Sequence, residues 1–267
     1  MGYTFLELKI VDAIGIVALA REESLNALNL EFAAEITKAV KELNENDEVR
    51  VIIIKSNAQI FCAGLDLKDF ASKGFDGTPK GSLEFPDKLH ELFDCCNVLE
   101  DCQKPIIAAV HGNCVGGGLD MIAACDIRLC TQDATFCLKE AGIGLVADMG
   151  VLQRLPLIIG QGFTREMAYT ARFFSAEDVF RMGLVNGIYA DKEVLMAEAK
   201  KLAALIAENA PLAVQHTKKV LNYSRSATVG DGMSMAMQKN MVLLFSQDVR
   251  EAMTAFMEKR KPHFKGK

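Results

Sequence analysis

The chain has 267 residues, of which half are hydrophobic and 24% are charged, with a formal net charge of -5 at pH 7. These proportions are typical of a soluble globular protein, and the acidic balance argues against nucleic acid as the main partner. No apolar run approaches the ~20 residues that a membrane-spanning helix needs, so we expect no membrane partner.

Strand and helix patterns alternate in the first part of the chain. Residues Phe5–Ile10 and Ile14–Leu19 predict a β-hairpin, and the spacing of apolar residues over Leu28–Leu43 predicts a helix. The β-branched run Val49–Lys55 is typical of a strand that is buried on both faces.

A second unit of the same kind follows. The pattern predicts a helix over Leu83–Leu99, a strand over Pro105–Val110, a glycine turn, a short helix that ends at Ala124, and a strand over Ile127–Cys130. Before this unit, the Gly-, Lys- and Ser-rich segment Ser72–Ser82 predicts a loop. The recurrence of strand, turn and helix indicates a repeating ββα coil rather than a doubly wound sheet.

Amphipathic helices dominate the C-terminal part, over Leu195–Ala207, Leu212–Leu221, Gly232–Phe245 and Val249–Lys259. The third of these is rich in Met and Leu and must bury an apolar face. Two interpretations remain open, because such a face serves equally well in the core of one chain or at an interface between subunits.

The eight cysteines form no Cys-X-X-Cys pair, and most lie in apolar segments, which indicates buried thiols in a reducing compartment. Four scattered histidines and no His-Glu-X-X-His sequence predict no metal site. The first residues, MGYTFLELKI, lack the features of a secretory signal, and the chain ends in Lys-Gly-Lys rather than Ser-Lys-Leu. We therefore expect a mitochondrial, peroxisomal or cytoplasmic protein.

Two glycine-containing turns follow predicted buried strands: FCAGLDL, from Phe61, and HGNCVGGG, from His111. Glycine lets backbone approach a ligand closely, and a helix N-terminus offers free N–H groups. Side by side, the two turns can aim one N–H each at a single carbonyl oxygen. The alternative is that these glycines only end strands and cap a helix. A phosphate-binding loop is less favoured, because neither GxGxxG spacing nor a Walker lysine is present.

Three acids lie among glycines and apolar residues: Asp120, Glu140 and Asp148. A carboxylate in an apolar wall tends to have a raised pKa, and several around one pocket suggest proton transfer. Each also has a simpler interpretation. Asp120 could complement a helix dipole, Glu140 could be a solvated loop acid, and Asp148 could be the N-cap of a helix over Met149–Leu155.

The segments FCAGLDL, KPIIAAVHGNCVGGGLDMIAACDIRLC and GLVADMGVLQRLPLIIG together resemble the crotonase (enoyl-CoA hydratase/isomerase) superfamily, over essentially the whole chain. The resemblance implies an α/β fold with a ββα spiral catalytic core, residues 1–194. It further implies a helical C-terminal region, residues 195–267, that covers the active site and forms trimers, which often pair into hexamers. The implied substrate is an acyl-coenzyme A thioester. Coenzyme A is part of that substrate, and no separate cofactor is expected.

The resemblance also implies roles for residues of the two glycine turns. The backbone amides of Ala63 and Gly117 would form the oxyanion hole. The substrate would contact Ala63, Gly64, Leu65, Asp66, Leu67 and Gly116.

The three acids suggest which reaction of the superfamily takes place. Hydratases of this family carry glutamates at the positions of Asp120 and Glu140, whereas Asp-Glu-Asp, with Asp148, resembles the 3,5–2,4-dienoyl-CoA isomerases. Their reaction moves a proton from C2 to C6, and each end of that displacement needs its own acid or base within reach. The expected roles are Glu140 as the base at C2, Asp148 as the acid at C6 and Asp120 as a residue that tunes or orients the pair. Hydration of 2-enoyl-CoA is the alternative activity, and a non-enzymatic thioester- or RNA-binding scaffold is a third.

Overall fold

The computed structural model describes residues 2–73 and 78–267. The described residues form nine strands and ten helices, together with two short 3-10 turns, Glu22–Ser24 and Glu140–Ile143. In chain order the strands and helices are β1 (Leu6–Val11), β2 (Ile14–Leu19), α1 (Leu30–Glu45), β3 (Val51–Ser56), α2 (Leu67–Lys73), α3 (Pro79–Asp101), β4 (Ile106–Val110), β5 (Asn113–Val115), α4 (Gly117–Ala124), β6 (Ile127–Thr131), β7 (Thr135–Cys137), α5 (Val151–Thr170), β8 (Phe174–Ser175), α6 (Ala176–Met182), β9 (Gly187–Tyr189), α7 (Lys192–Ala207), α8 (Pro211–Ser224), α9 (Val229–Leu243) and α10 (Gln247–Glu258).

The larger sheet has the order β1-β2-β3-β4-β6-β9, and the smaller sheet has the order β5-β7-β8. Only the β1–β2 pair of the larger sheet is antiparallel. Its two-residue turn, Asp12 and Ala13, has φ of 49° and 64°, which suits the twist of a tight hairpin. The predicted hairpin is therefore confirmed.

The chain winds as a spiral between the two sheets. It leaves the larger sheet after β3, β4 and β6, and each time it passes an extended segment at the smaller sheet before a helix leads back. In the first turn of the spiral that segment is marked by the bridge between Cys62 and Cys114, and in the next two it is β5 and β7. The predicted repeating ββα coil is confirmed.

Both faces of the larger sheet are covered by apolar residues. On one face, α1 begins at its N-cap Asn29, whose side chain accepts a hydrogen bond from the N–H of Phe32, and packs Phe32, Ile36 and Val40 into the core. On the other face, Leu195 of α7 packs against Ile53 of β3. This two-sided burial explains why β3 is a continuous β-branched run.

Two interpretations of the sequence change. The predicted loop Ser72–Ser82 is wrong at its ends, because Ser72 belongs to α2 and Ser82 to α3, while residues 74–77 lie outside the described residues. Pro79 is the first residue of α3, where its missing N–H costs no hydrogen bond.

In α9, Met233, Met237 and Met241 are exposed along one face, so this face does not belong to the core of the protomer. No helix among the described residues has both the length and the apolar character that crossing a bilayer requires.

Candidate active site

A cavity of about 230 Å³ lies between the two glycine turns and the segment that runs from Lys139 to Met149. Its wall includes all three acids identified from the sequence. The lining residues are Ala63, Gly64, Leu65, Leu67, Phe70, Leu89, Leu92, Val115, Gly116, Gly117, Asp120, Lys139, Glu140, Ile143, Leu145, Val146, Asp148 and Met149. Five of the six residues predicted to contact substrate are in this wall, and Asp66 is not.

Glycine is required where the two turns meet at the cavity. Gly64 has φ of 94°, and a Cβ there would lie 3.1 Å from the carbonyl oxygen of Val115. Gly116 has φ of 49°, and a Cβ there would lie 2.8 Å from Oε1 of Glu140. Both positions combine a left-handed conformation with a contact that leaves no room for a side chain.

The backbone N–H groups at the cavity correct one prediction. Ala63 lines the cavity, but its N–H donates to the carbonyl oxygen of Leu25 at 3.0 Å and is already used. The residues after Ala63 pair with Leu28 as in a parallel sheet. The N–H of Leu28 donates to the carbonyl oxygen of Gly64 at 2.7 Å, and the carbonyl oxygen of Leu28 accepts from the N–H of Asp66 at 2.9 Å. In parallel pairing the residue between those two points its N–H away from the partner. The amide that this turn can offer is therefore that of Leu65, not that of Ala63.

The second amide of the predicted pair belongs to Gly117, which also lines the cavity. Gly117 is the first residue of α4, so its N–H has no acceptor within the helix. In the described part of the chain no other acceptor is found for the N–H of Gly117 or for that of Leu65. The helix dipole adds partial positive charge at this end of α4. The cavity thus has two free donors in its wall.

Glu140 begins a 3-10 turn directly opposite Gly116. Its Oε2 is buried and has no hydrogen-bond partner among the described residues. Burial raises the pKa of the Glu140 carboxyl, backbone N–H groups lower it, and the charge of Asp148 raises it, with a net upward shift. An unpaired buried carboxylate is costly unless it has a task or a missing partner, so Glu140 is not a solvated loop acid.

Asp120 lies one turn into α4 and is only 1% exposed. Its Oδ1 accepts a hydrogen bond from the N–H of Val151 at 2.8 Å, which ties α4 to the start of α5. Burial raises the pKa of Asp120 to about 7, with the N–H of Val151 opposing the shift and Glu140 and Asp148 adding to it. Asp120 therefore titrates near neutrality and also fixes the backbone at the start of α5 through its hydrogen bond with Val151.

Asp148 is exposed at the mouth of the same cavity. Burial raises the pKa of its carboxyl, with its own backbone N–H opposing. The interpretation of Asp148 as a helix cap is wrong, because the N-cap of α5 is Gly150 and the first N–H of the helix, that of Val151, donates to Asp120. Among residues 2–73 and 78–267, Asp148 thus has no hydrogen bond or ion pair with another residue that would explain its place.

Asp66 forms an ion pair behind the cavity. Nη1 of Arg21 lies 2.7 Å from Oδ2 of Asp66 and also donates to the carbonyl oxygen of Ala27 at 2.7 Å. Both side chains are largely buried. The pair clamps the segment near Leu28 onto the turn that carries Leu65, which is a positioning role rather than a substrate contact.

We expect Asp66→Asn to lower the free energy of unfolding by about 3 kcal/mol, because it leaves the Arg21 guanidinium buried without its carboxylate. Urea denaturation measures this change. Glu23→Gln is the matched control, since Glu23 lies 4.0 Å from the same guanidinium but is 70% exposed, and exposed pairs contribute less than about 1 kcal/mol. Equal losses in the two variants would contradict the clamp.

In the described ranges, no group of three or more His, Cys, Asp or Glu side chains is arranged to hold a metal ion. The site consists of three carboxyl groups and two backbone amides around an apolar cavity.

The enoyl-CoA hydratase/isomerase family model matches residues 9–267. The chain belongs to this family. It is 41% identical over 249 residues to the peroxisomal Delta(3,5)-Delta(2,4)-dienoyl-CoA isomerase of Arabidopsis thaliana, covering 91% of this chain and 90% of that protein. It is 40% identical over 250 residues to the mitochondrial enzyme of that name in Homo sapiens, covering 91% of this chain and 76% of that protein. The crystal structure of an enoyl-CoA hydratase subunit I from Geobacillus kaustophilus superposes with a TM-score of 0.89 at 33% identity over 99% of both chains.

These comparisons confirm the crotonase resemblance, its α/β spiral fold and its likeness to the dienoyl-CoA isomerases. The relatives named above are isomerases, and this chain is likewise an enzyme of that type.

Proposed function

We propose that this enzyme converts 3,5-dienoyl-CoA to 2,4-dienoyl-CoA thioesters, a reaction of unsaturated fatty-acid β-oxidation. The observation that carries the proposal is the arrangement of Asp120, Glu140 and Asp148 around one cavity that also holds two free backbone amides. Relatives that cover most of the chain at about 40% identity are named for this reaction.

In the first step the thioester carbonyl oxygen accepts hydrogen bonds from the N–H groups of Leu65 and Gly117. These donors stabilise the negative charge that develops on oxygen, and each contributes about 3 kcal/mol to that stabilisation. The C2 protons become acidic, and the Glu140 carboxylate removes one of them. Its raised pKa makes Glu140 a stronger base than an ordinary carboxylate.

The second step completes the displacement. The electron pair of the broken C2–H bond is delocalised over the dienolate, and a C6–H bond forms with the proton of Asp148. The double bonds then lie at C2 and C4, and atoms and charge balance. Glu140 is left protonated and Asp148 charged, so a proton must pass between them before the next turnover. Asp120 fixes the start of α5 through its hydrogen bond with Val151. With a pKa of about 7, it also influences the protonation of Glu140 and Asp148.

The apolar face of α9 supports a further part of the proposal, which is assembly as a homotrimer or homohexamer. Three methionines spaced by four residues are exposed on this face. Exposed apolar faces of this kind mark interaction sites. The division into a core, residues 1–194, and a helical region, residues 195–267, belongs to the same proposal, although α7 itself packs on the larger sheet.

Hydration of 2-enoyl-CoA is the competing activity. It needs two carboxyl groups that hold one water molecule. Oδ1 of Asp120 is already engaged with the N–H of Val151, which weakens Asp120 as a water-holding group. Hydration also leaves Asp148 without a task.

The test supplies purified protein with a 3,5-dienoyl-CoA and follows the absorbance of the conjugated 2,4-diene. We expect the diene to form, and hydration of a 2-enoyl-CoA to be slower by at least tenfold. Robust hydration without diene formation would reject the isomerase in favour of the hydratase. Tight binding of the thioester with neither reaction would support a binding scaffold.

A further inference from the structure

Arg154 places a buried guanidinium directly behind the cavity. The residue lies in the first turn of α5 and is 8% exposed. Its Nη1 donates to the carbonyl oxygen of Met149 at 3.1 Å. A Cβ on Gly150 would lie 2.0 Å from the same nitrogen, so Nη1 occupies the space that a side chain at position 150 would need. Arg154 therefore fills the inside of the turn that joins the cavity to α5.

This turn, residues 148–151, is held from two sides. The Arg154 guanidinium donates to the carbonyl oxygen of Met149, and the Asp120 carboxyl accepts from the N–H of Val151 at 2.8 Å. The side chains of Asp148 and Met149 both line the cavity. The turn that presents Asp148 is thus anchored by a cation on one side and by a carboxyl group of the active site on the other.

The guanidinium is itself fixed by a second set of contacts. Oε2 of Glu100 lies 2.7 Å from Nη2 and 2.8 Å from Nε, and Oδ1 of Asn97 accepts from Nη2 at 2.9 Å. The other oxygen of Glu100 contacts Arg225, which follows α8. All three guanidinium nitrogens of Arg154 have partners, and these contacts fix the orientation of the planar group. A lysine ammonium could not make the same set of contacts.

We propose that Arg154 is a positioning residue for proton delivery, holding the turn so that Asp148 stays within reach of the distal carbon of the substrate. The inference rests on the proposed dienoyl-CoA isomerisation. It gives Arg154 no contact with substrate and no part in removal of the C2 proton, because Glu140 lies in its own 3-10 turn, Glu140–Ile143, and the contacts of Arg154 are with Met149, Asn97 and Glu100. Misplacement of a reacting group by about 1 Å can reduce a rate by about 100-fold.

The experiment separates the two ends of the reaction in Arg154→Gln, Arg154→Lys and the control Arg165→Gln. Arg165 is an exposed residue of the same helix, and its guanidinium donates to the hydroxyl of Tyr169. Diene formation reports transfer to C6, and deuterium exchange at C2 reports the first step. We expect Arg154→Gln to lose about 100-fold in diene formation and to keep C2 exchange within about threefold. Arg154→Lys, which keeps the charge but not the fork, should lose about tenfold, and Arg165→Gln should match the wild type.

The outcomes distinguish this inference from the proposed function. A wild-type protein that exchanges C2 protons without forming the diene would reject the function before any variant is compared. An active wild type with equally active Arg154 variants would reject only the role of Arg154. Parallel loss of both rates would mean that Arg154 maintains the fold as a whole, which also overturns the proposal. Should Arg154→Gln fail to fold, Arg154→Lys carries the comparison, and full diene formation in it overturns the role.

Discussion

Asp148→Asn will reduce diene isomerisation by about 100-fold, the usual scale for loss of an acid–base group. Asparagine keeps the size and position of the side chain but has no proton to deliver to C6. The first step depends on Glu140 and on the amides of Leu65 and Gly117, so C2 exchange with deuterated solvent should remain largely intact. Stopped-flow absorbance of the diene and mass spectrometry of the exchanged thioester measure the two rates.

The matched control for Asp148→Asn is Asp133→Asn, which removes an exposed carboxylate outside the cavity wall. It should leave both rates unchanged. If Asp148→Asn abolished exchange and isomerisation together, Asp148 would act at C2 or support the fold. The assignment of Glu140 to C2 and Asp148 to C6 would then be wrong.

Much of the scaffold was predictable because its determinants are local. The β-branched run in β3 is buried on both faces, as its composition requires. The glycines of the two turns have conformations and contacts that other residues do not tolerate, and this property can be inferred from glycine chemistry alone. The three acids were identified because carboxyl groups among apolar residues are unusual. Their arrangement around one cavity agrees with that inference.

The errors occurred where a role depends on a partner distant in sequence. Whether Ala63 or Leu65 offers its N–H is decided by pairing with Leu25 and Leu28, and no local pattern encodes that register. Asp66 has the residue type of a ligand-binding group, but Arg21, 45 positions away, engages it. Asp148 has the sequence context of an N-cap, yet the N-cap is Gly150, two residues later, and the helix begins at Val151. In each case tertiary contacts overrode a local preference.

Arg154 illustrates the same limit. In the sequence it is one of two arginines in α5, and no local pattern distinguishes it from Arg165. Its significance arises only from the tertiary contacts that place it under the Asp148 turn, between Met149 and Glu100.

Glu140→Gln will have the largest effect, a loss of about 1,000-fold or more in both diene formation and C2 exchange, because the first proton transfer loses its base. Glutamine keeps the volume of the side chain and relieves a buried, unpaired carboxylate, so the variant should be at least as stable as the wild type. In the wild type the base must be ionised. Activity should therefore fall as the pH falls through the raised pKa of Glu140, at a higher pH than an ordinary glutamate would give. Rapid-mixing rates across a pH series, with thermal melting of both proteins, measure these effects.

Glu166→Gln serves as the control, since its carboxylate is exposed and pairs with Arg172 away from the cavity. It should change neither rate nor the pH profile. A stable Glu140→Gln protein that still exchanged C2 protons at the wild-type rate would transfer the role of base to Asp120, whose pKa burial raises to about 7. In that event Asp120→Asn, not Glu140→Gln, would abolish exchange. The acid that removes the C2 proton is thus identified by which of these two substitutions eliminates the deuterium signal.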